Sequence, residues 1–346
     1  MRRLFFALLA LCLVALTPLA LASTQPVNSE ILPLDALRAG MKGEVWTVFQ
    51  GTQPEPFAVE VTGVVRNALG PGKSLILCRL TDPRVQDMGA VAGMSGSPLY
   101  IDGKLAGALS YQIQRFETVR YAGFTPAADL AEVGAKSAAP ALTPTPVALN
   151  PSATPAGYQP LRPVFTLSGL SPAVADLFAP RLAALGLAAT SLGGNSGTLE
   201  NPNSKIEHHL APGSAVSVAV ATGDVTLAAT GTVSRVEGDH VTAFGHPLLT
   251  LGDVALPMCS AEVVAILPSN LQSIKVANTG PVIGTISQDR LSAVSGTLGA
   301  GPDMIAVEVN VGGNGTPVRK LHFSVARHQQ LTPTLIASGV TQAILG

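Results

Sequence analysis

The stretch Val91-Ala92-Gly93-Met94-Ser95-Gly96-Ser97-Pro98-Leu99-Tyr100-Ile101-Asp102-Gly103-Lys104-Leu105-Ala106-Gly107-Ala108-Leu109-Ser110 decides how this chain is read. Its second part reads as strand, turn, strand, because an Asp-Gly pair between apolar runs is the chemistry of a two-residue hairpin. Its first part pins Ser95 between two glycines. With no Cβ, Gly93 and Gly96 let the chain turn sharply enough to aim the N–H groups of Gly93 and Ser95 into one small cavity. Such a cavity would hold an oxyanion, and Ser95 would be a nucleophile in need of a base. The same residues also suit a plain tight turn that starts the next strand.

Outward from this stretch, residues 43–49, 57–65, 74–80 and 121–126 read as strands, with a helical turn or two over 127–133. Short strands punctuated by Gly and Pro predict a small barrel or sandwich over 23–133. Residues 134–211 change character. Pro140, Pro144, Pro146, Pro151 and Pro155 mark a semi-extended linker, open to cutting by a protease. A helix is expected over 172–187, with Ser171 as N-cap, Pro172 at its first position and a kink at Pro180. Residues 191–203 read as loop. A second β unit is expected over 212–346, from strands at 215–222, 225–233, 240–244, 255–267, 273–276, 284–287 and 305–311.

Residues 1–22 have Arg2-Arg3, an apolar run over 4–16 and Ala20-Leu21-Ala22 before Ser23, the pattern of a secretory signal peptide. The run is shorter than the ~20 apolar residues of a membrane span, and no later stretch is longer. The expectation is an exported protein, periplasmic, in the cell envelope or extracellular, with no membrane span after signal removal. Only 12% of residues are charged, and the formal net charge is −1, more acidic once Arg2 and Arg3 leave. That balance argues against nucleic acid, which calls for a concentrated basic face.

Gly-Met-Ser-Gly-Ser-Pro at 93–98, followed by a hairpin with Asp-Gly-Lys-Leu and Ala-Gly-Ala-Leu, resembles the SpoIVB peptidase family, secreted or membrane-associated serine endopeptidases. The nucleophile loop is also similar to that of chymotrypsin-like proteases. Leu80-Thr81-Asp82-Pro83 resembles the family's Thr-Asp-Pro, at a slightly shorter spacing. Gly231-Thr232-Val233 with Val241-Thr242-Ala243-Phe244-Gly245-His246-Pro247 resembles its Gly-Thr strand and Gly-His block. In familiar members that block precedes the serine; here it follows, so the order is permuted. The resemblance spans about 42–130 and 212–300, without a PDZ module.

The resemblance implies an all-β fold of two small barrel-like units, chymotrypsin-like and permuted. It implies Ser95 as nucleophile, His246 as general base and Asp82 as the group that orients it, with Asp87 ranked below. The N–H groups of Gly93 and Ser95 would form the oxyanion hole. Polypeptide is the expected substrate, this chain itself among the candidates, and no cofactor is called for. The rival is a non-catalytic envelope protein that keeps the fold for binding or structure.

Other residues carry less. His246 is otherwise a turn residue. Glu207-His208-His209 with His240 lacks the spacing of a metal set, since adjacent strand residues face opposite sides, so no metal is expected. Cys78 and Cys259, the cysteines beyond the leader, suit either a disulfide or two buried thiols. Asp253 and Asp289-Arg290 read as turn and surface residues.

Overall fold

The computed structural model describes residues 29–113, 120–135, 158–161, 163–190, 194–195, 210–269, 272–312 and 319–346. The apolar alternation before and after Ser95 builds β1 (Lys42–Val48), β2 (Pro54–Val65), β3 (Leu75–Leu80), β4 (Pro98–Ile101), β5 (Lys104–Ile113) and β6 (Tyr121–Pro126). Antiparallel neighbours run β1-β2-β3-β6-β5-β4, and β4 returns to β1, so the sheet closes into a six-stranded barrel. The turn between β4 and β5 uses Asp102 at φ 50° and Gly103 at φ 75°, as an Asp-Gly hairpin requires. A short helix, α1 (Pro83–Gln86), sits between β3 and β4, and α2 (Ala127–Ala135) follows β6. Val45, Phe57, Ile76, Leu99, Leu109 and Phe124 fill the interior.

The chain next forms β7 (Tyr158–Pro160), β8 (Phe165–Ser168), α3 (Pro172–Ala184), β9 (Ala189–Thr190) and β10 (Gly194–Asn195). The second barrel follows, from β11 (Ala215–Gly223), β12 (Thr226–Glu237), β13 (His240–Ala243), β14 (Gly252–Leu267), β15 (Ile274–Arg290) and β16 (Ala293–Leu298). Its ring runs β11-β12-β13-β16-β15-β14 and back to β11. Numbered within each barrel, both rings trace 1-2-3-6-5-4. β17 (Met304–Val311) and β18 (Arg319–Ala326) extend the sheet beyond β11, and α4 (Leu331–Leu345) packs against them and α3. Among the described residues, no helix is long and apolar enough to cross a membrane.

The predicted all-β fold of two barrels is the observed one, and the differences are local. The strands expected at 273–276 and 284–287 are one strand, β15, whose ladders to β14 and β16 shift register repeatedly. Bulges of that kind interrupt the strict alternation on which sequence reading depends. β16, β18 and α4 lie outside the expected elements. Pro180 lies within α3, and Ser171 precedes it without a side-chain capping bond. β8 pairs with β12, so part of the predicted linker region belongs to the second sheet. Cys78 and Cys259 are free thiols in separate cores, and burial pushes both up, Cys259 to about 12. The leader and Glu207-His208-His209 lie outside the described residues.

Candidate active site

Ser95 and His246 occupy the same place in the two barrels, the connection from third strand to fourth. In the first barrel that connection holds its shape by clamping to the second. Thr232 N–H donates to the Ser95 carbonyl (2.8 Å), Thr232 Oγ1 to the Gly93 carbonyl (3.2 Å) and Ser234 Oγ to the Gly96 carbonyl (2.7 Å). Gly96 N–H donates to the Leu109 carbonyl (2.7 Å). The glycines are demanded twice over. Gly93 and Gly96 have φ of 96° and 95°, and a Cβ on Gly96 would collide with the Thr232 carbonyl and Phe244 N. A Cβ on Gly93 would meet the Lys275 side chain at 2.7 Å.

With its carbonyls so engaged, this loop leaves three donors unused. Neither the Gly93 nor the Ser95 N–H donates to another group among the described residues. The Ser95 hydroxyl, fully buried, has no hydrogen-bond partner among the described residues. Unpaired buried polar groups are costly, so a cluster of them beside one serine is the mark of a site kept ready for a ligand.

His246 enters from the other connection, immediately after Phe244 at φ 70° and Gly245 at φ 67°. A phenylalanine in the left-handed region stores strain, which Phe244 N–H offsets by donating to the Thr232 carbonyl (3.1 Å) and its ring by packing edge-on to the His246 ring. Thr125 Oγ1 of the first barrel donates to the Gly245 carbonyl (2.7 Å). His246 Nδ1–H donates to the Pro247 carbonyl (2.7 Å), which leaves Nε2 as a bare acceptor. That atom is buried and unpaired, so it is not hydrogen-bonded to Ser95. Burial holds the ring pKa down to about 4, against a pull upward from the Pro247 and Leu161 carbonyls. The ring is therefore neutral at pH 7, in the tautomer a general base needs.

Asp82 and His246 are not hydrogen-bonded to each other. Asp82 caps α1, accepting from Arg84 N–H (2.9 Å), and its carboxylate pairs with the Arg84 guanidinium, which itself stacks over Phe49. Those bonds hold its carboxyl below the usual range despite partial burial. The carboxylate next to the histidine loop is Asp289, read from sequence as a turn residue but 1% exposed. At the end of the fifth strand of its barrel, it accepts from the N–H groups of Leu248 (2.7 Å), Leu249 (2.8 Å) and Leu251 (3.0 Å). Burial raises its pKa, and those N–H groups counter the rise. No sequence signal marks it, because its partners are backbone amides forty residues upstream.

Lys275 is the other group the sequence did not single out. It is 2% exposed, and its Nζ donates to Thr47 Oγ1 (2.9 Å) with no ion pair among the described residues. Burial lowers its pKa to about 7. Its N–H donates to the Ala92 carbonyl (2.8 Å), and Ala92 N–H to the Ser273 carbonyl (2.9 Å), so the start of β15 is stitched to the approach to Ser95.

Residues 24–124 match the family model of SpoIVB peptidase S55. The similarity to that family covers less than a third of the chain. The match supports a serine peptidase of SpoIVB type at family level, and that family implies polypeptide substrates. The matched segment includes the loop of Ser95 and ends before His246. No curated protein and no solved structure matches the chain.

Proposed function

We propose that this chain is an exported serine endopeptidase in which Ser95 is the nucleophile and His246 the general base. The observation that carries the reading is the pair of buried, unpartnered atoms, Ser95 Oγ and His246 Nε2, presented by equivalent connections of equivalent barrels. His246 Nε2 takes the Ser95 proton as Oγ attacks the peptide carbonyl. The N–H groups of Gly93 and Ser95 receive the oxyanion, and the imidazolium then protonates the leaving amine. Water hydrolyses the acyl-serine by the same route in reverse. The Pro247 carbonyl fixes the histidine tautomer, the role a triad carboxylate otherwise plays. Asp82, bound to Arg84, caps α1 ahead of the nucleophile loop. The leader over residues 1–22 supports export.

The complete burial of Ser95 and His246 favours the second reading, a non-catalytic binding protein of this fold. Fluorophosphonate labelling of the purified chain separates the two. Labelling that falls at least ~100-fold in both Ser95→Ala and His246→Ala supports the peptidase. A folded wild-type chain that resists the probe at every concentration supports the binding protein.

A further inference from the structure

The first barrel is closed without β7, yet β7 is bound to it. It lies antiparallel along the end of β5, with Tyr158 opposite Ile113, Gln159 opposite Gln112 and Pro160 opposite Tyr111. The ladder continues one step, since Leu161 N–H donates to the Ser110 carbonyl (2.9 Å). In an antiparallel pair every second residue turns its N–H away from its neighbour, and Pro160, which has none, falls on such a position.

This edge leads straight to the nucleophile. Ser110 follows Leu109, whose carbonyl accepts from Gly96 N–H (2.7 Å). Leu161, at the inner end of the added strand, is 1% exposed and belongs to the apolar cluster that includes Met94, the residue before Ser95. Its carbonyl is one of the two that act on the His246 ring. A peptide running this way delivers one residue's side chain to the apolar cluster that holds Met94 and that residue's carbonyl to the His246 ring. Strand addition to a sheet edge is the ordinary way to hold an extended peptide: backbone bonds give affinity and a side-chain pocket gives choice. The Leu161 carbonyl, however, receives no bond from Gly93 or Ser95 N–H. The segment is seated on the edge without being placed for attack.

We infer that Tyr158–Leu161 is a built-in pseudosubstrate on the substrate-binding edge of β5, with Leu161 in the pocket that selects the residue before the scissile bond. The substrates of the site are then extended polypeptides with a leucine-like aliphatic residue there, admitted when the segment is displaced. A charged side chain in that pocket would be desolvated without a partner, which excludes acidic and basic residues. This inference rests on the peptidase reading above.

The test uses the full chain, Leu161→Asp, and a Gln112→Cys, Gln159→Cys double variant. Directly opposed residues of an antiparallel pair lie close enough for a disulfide. Expected are fluorophosphonate labelling of Ser95 about tenfold faster in Leu161→Asp than in wild type, and about tenfold slower in the oxidised double variant, with recovery on reduction. The fluorogenic peptide acetyl-Tyr-Gln-Pro-Leu-amide reporter should be cut at least tenfold faster than its Asp and Lys analogues. If Leu161→Asp misfolds by circular dichroism, the redox pair decides alone. Labelling indifferent to both changes, equal cutting of the three peptides, or a new N-terminus at residue 162 in the purified wild type overturns the pseudosubstrate and leaves the peptidase standing. Absence of labelling in every form, reduced and oxidised, overturns the peptidase reading and this inference with it.

Discussion

The two connections that carry Ser95 and His246 are held by different balances of the same bonds. The Ser95 loop is held largely from outside, by Thr232, Ser234 and Lys275 of the other barrel, with Gly96 N–H bonded to Leu109 of its own, and it keeps the N–H groups of Gly93 and Ser95 free. The histidine loop is held largely from within its own barrel, by the buried Asp289 carboxylate collecting three of its N–H groups, with one bond from Thr125 of the first barrel to the Gly245 carbonyl. A loop that must offer two of its N–H groups to a ligand leans on its carbonyls and its remaining amides; a loop that offers one imidazole can spend more of its amides on structure.

Three substitutions probe this contrast. Asp289→Ala strands three buried N–H groups, and the expected loss is about 3–5 kcal/mol of stability by chemical denaturation, with loss of His246-dependent labelling in whatever folds. A cost below about 1 kcal/mol would mean the carboxylate is not what holds the loop.

Lys275→Met comes next. The lysine's pKa is lowered on folding, so between pH 7 and its ordinary value the unfolded chain binds the extra proton and stability rises with pH. Below pH 7 both states carry the charge and the full penalty of burial applies. The substitution should therefore stabilise by roughly 2–4 kcal/mol at pH 6, with the gain shrinking as pH approaches 10. A gain independent of pH would show that packing on Gly93, not charge, decides it.

Asp82 gives the smallest effect. Asp82→Ala removes a cap and a partly exposed ion pair, worth about 1 kcal/mol together after solvent screening. Because its folded pKa is lowered, that contribution is present at neutral pH and fades as pH falls below the ordinary carboxylate range. Thermal melts at pH 7 and pH 3 measure it. Labelling of Ser95 should survive in Asp82→Asn; its loss in a folded variant would return Asp82 to the catalytic group.

Much of the candidate site was legible because it is local. Gly-x-Ser-Gly and the Asp-Gly hairpin declare backbone conformations that only those residues adopt easily, and Gly-His announces an imidazole at a strand end. What escaped reading lies across long sequence distances. Asp289 looks like any turn residue until its backbone partners are known, and Lys275 like any strand lysine until a barrel closes over it. The roles of Thr232 and of residues 158–160 went unread for the same reason: the one clamps a loop well over a hundred residues upstream, and the other, in a proline-rich context, takes strand form on the edge that β5 offers it.

The sequence by itself determined that two β units would form and that one would present Ser95 and the other His246, since alternation, turn chemistry and paired glycines are short-range properties. The tertiary structure alone decided that both units close with the same strand order, that Asp289 rather than Asp82 supports the histidine loop, and that residues 158–161 lie on the edge beside the nucleophile. Those outcomes depend on which strands meet and which groups lose water, and burial is a property of the assembled barrels, not of any segment read alone.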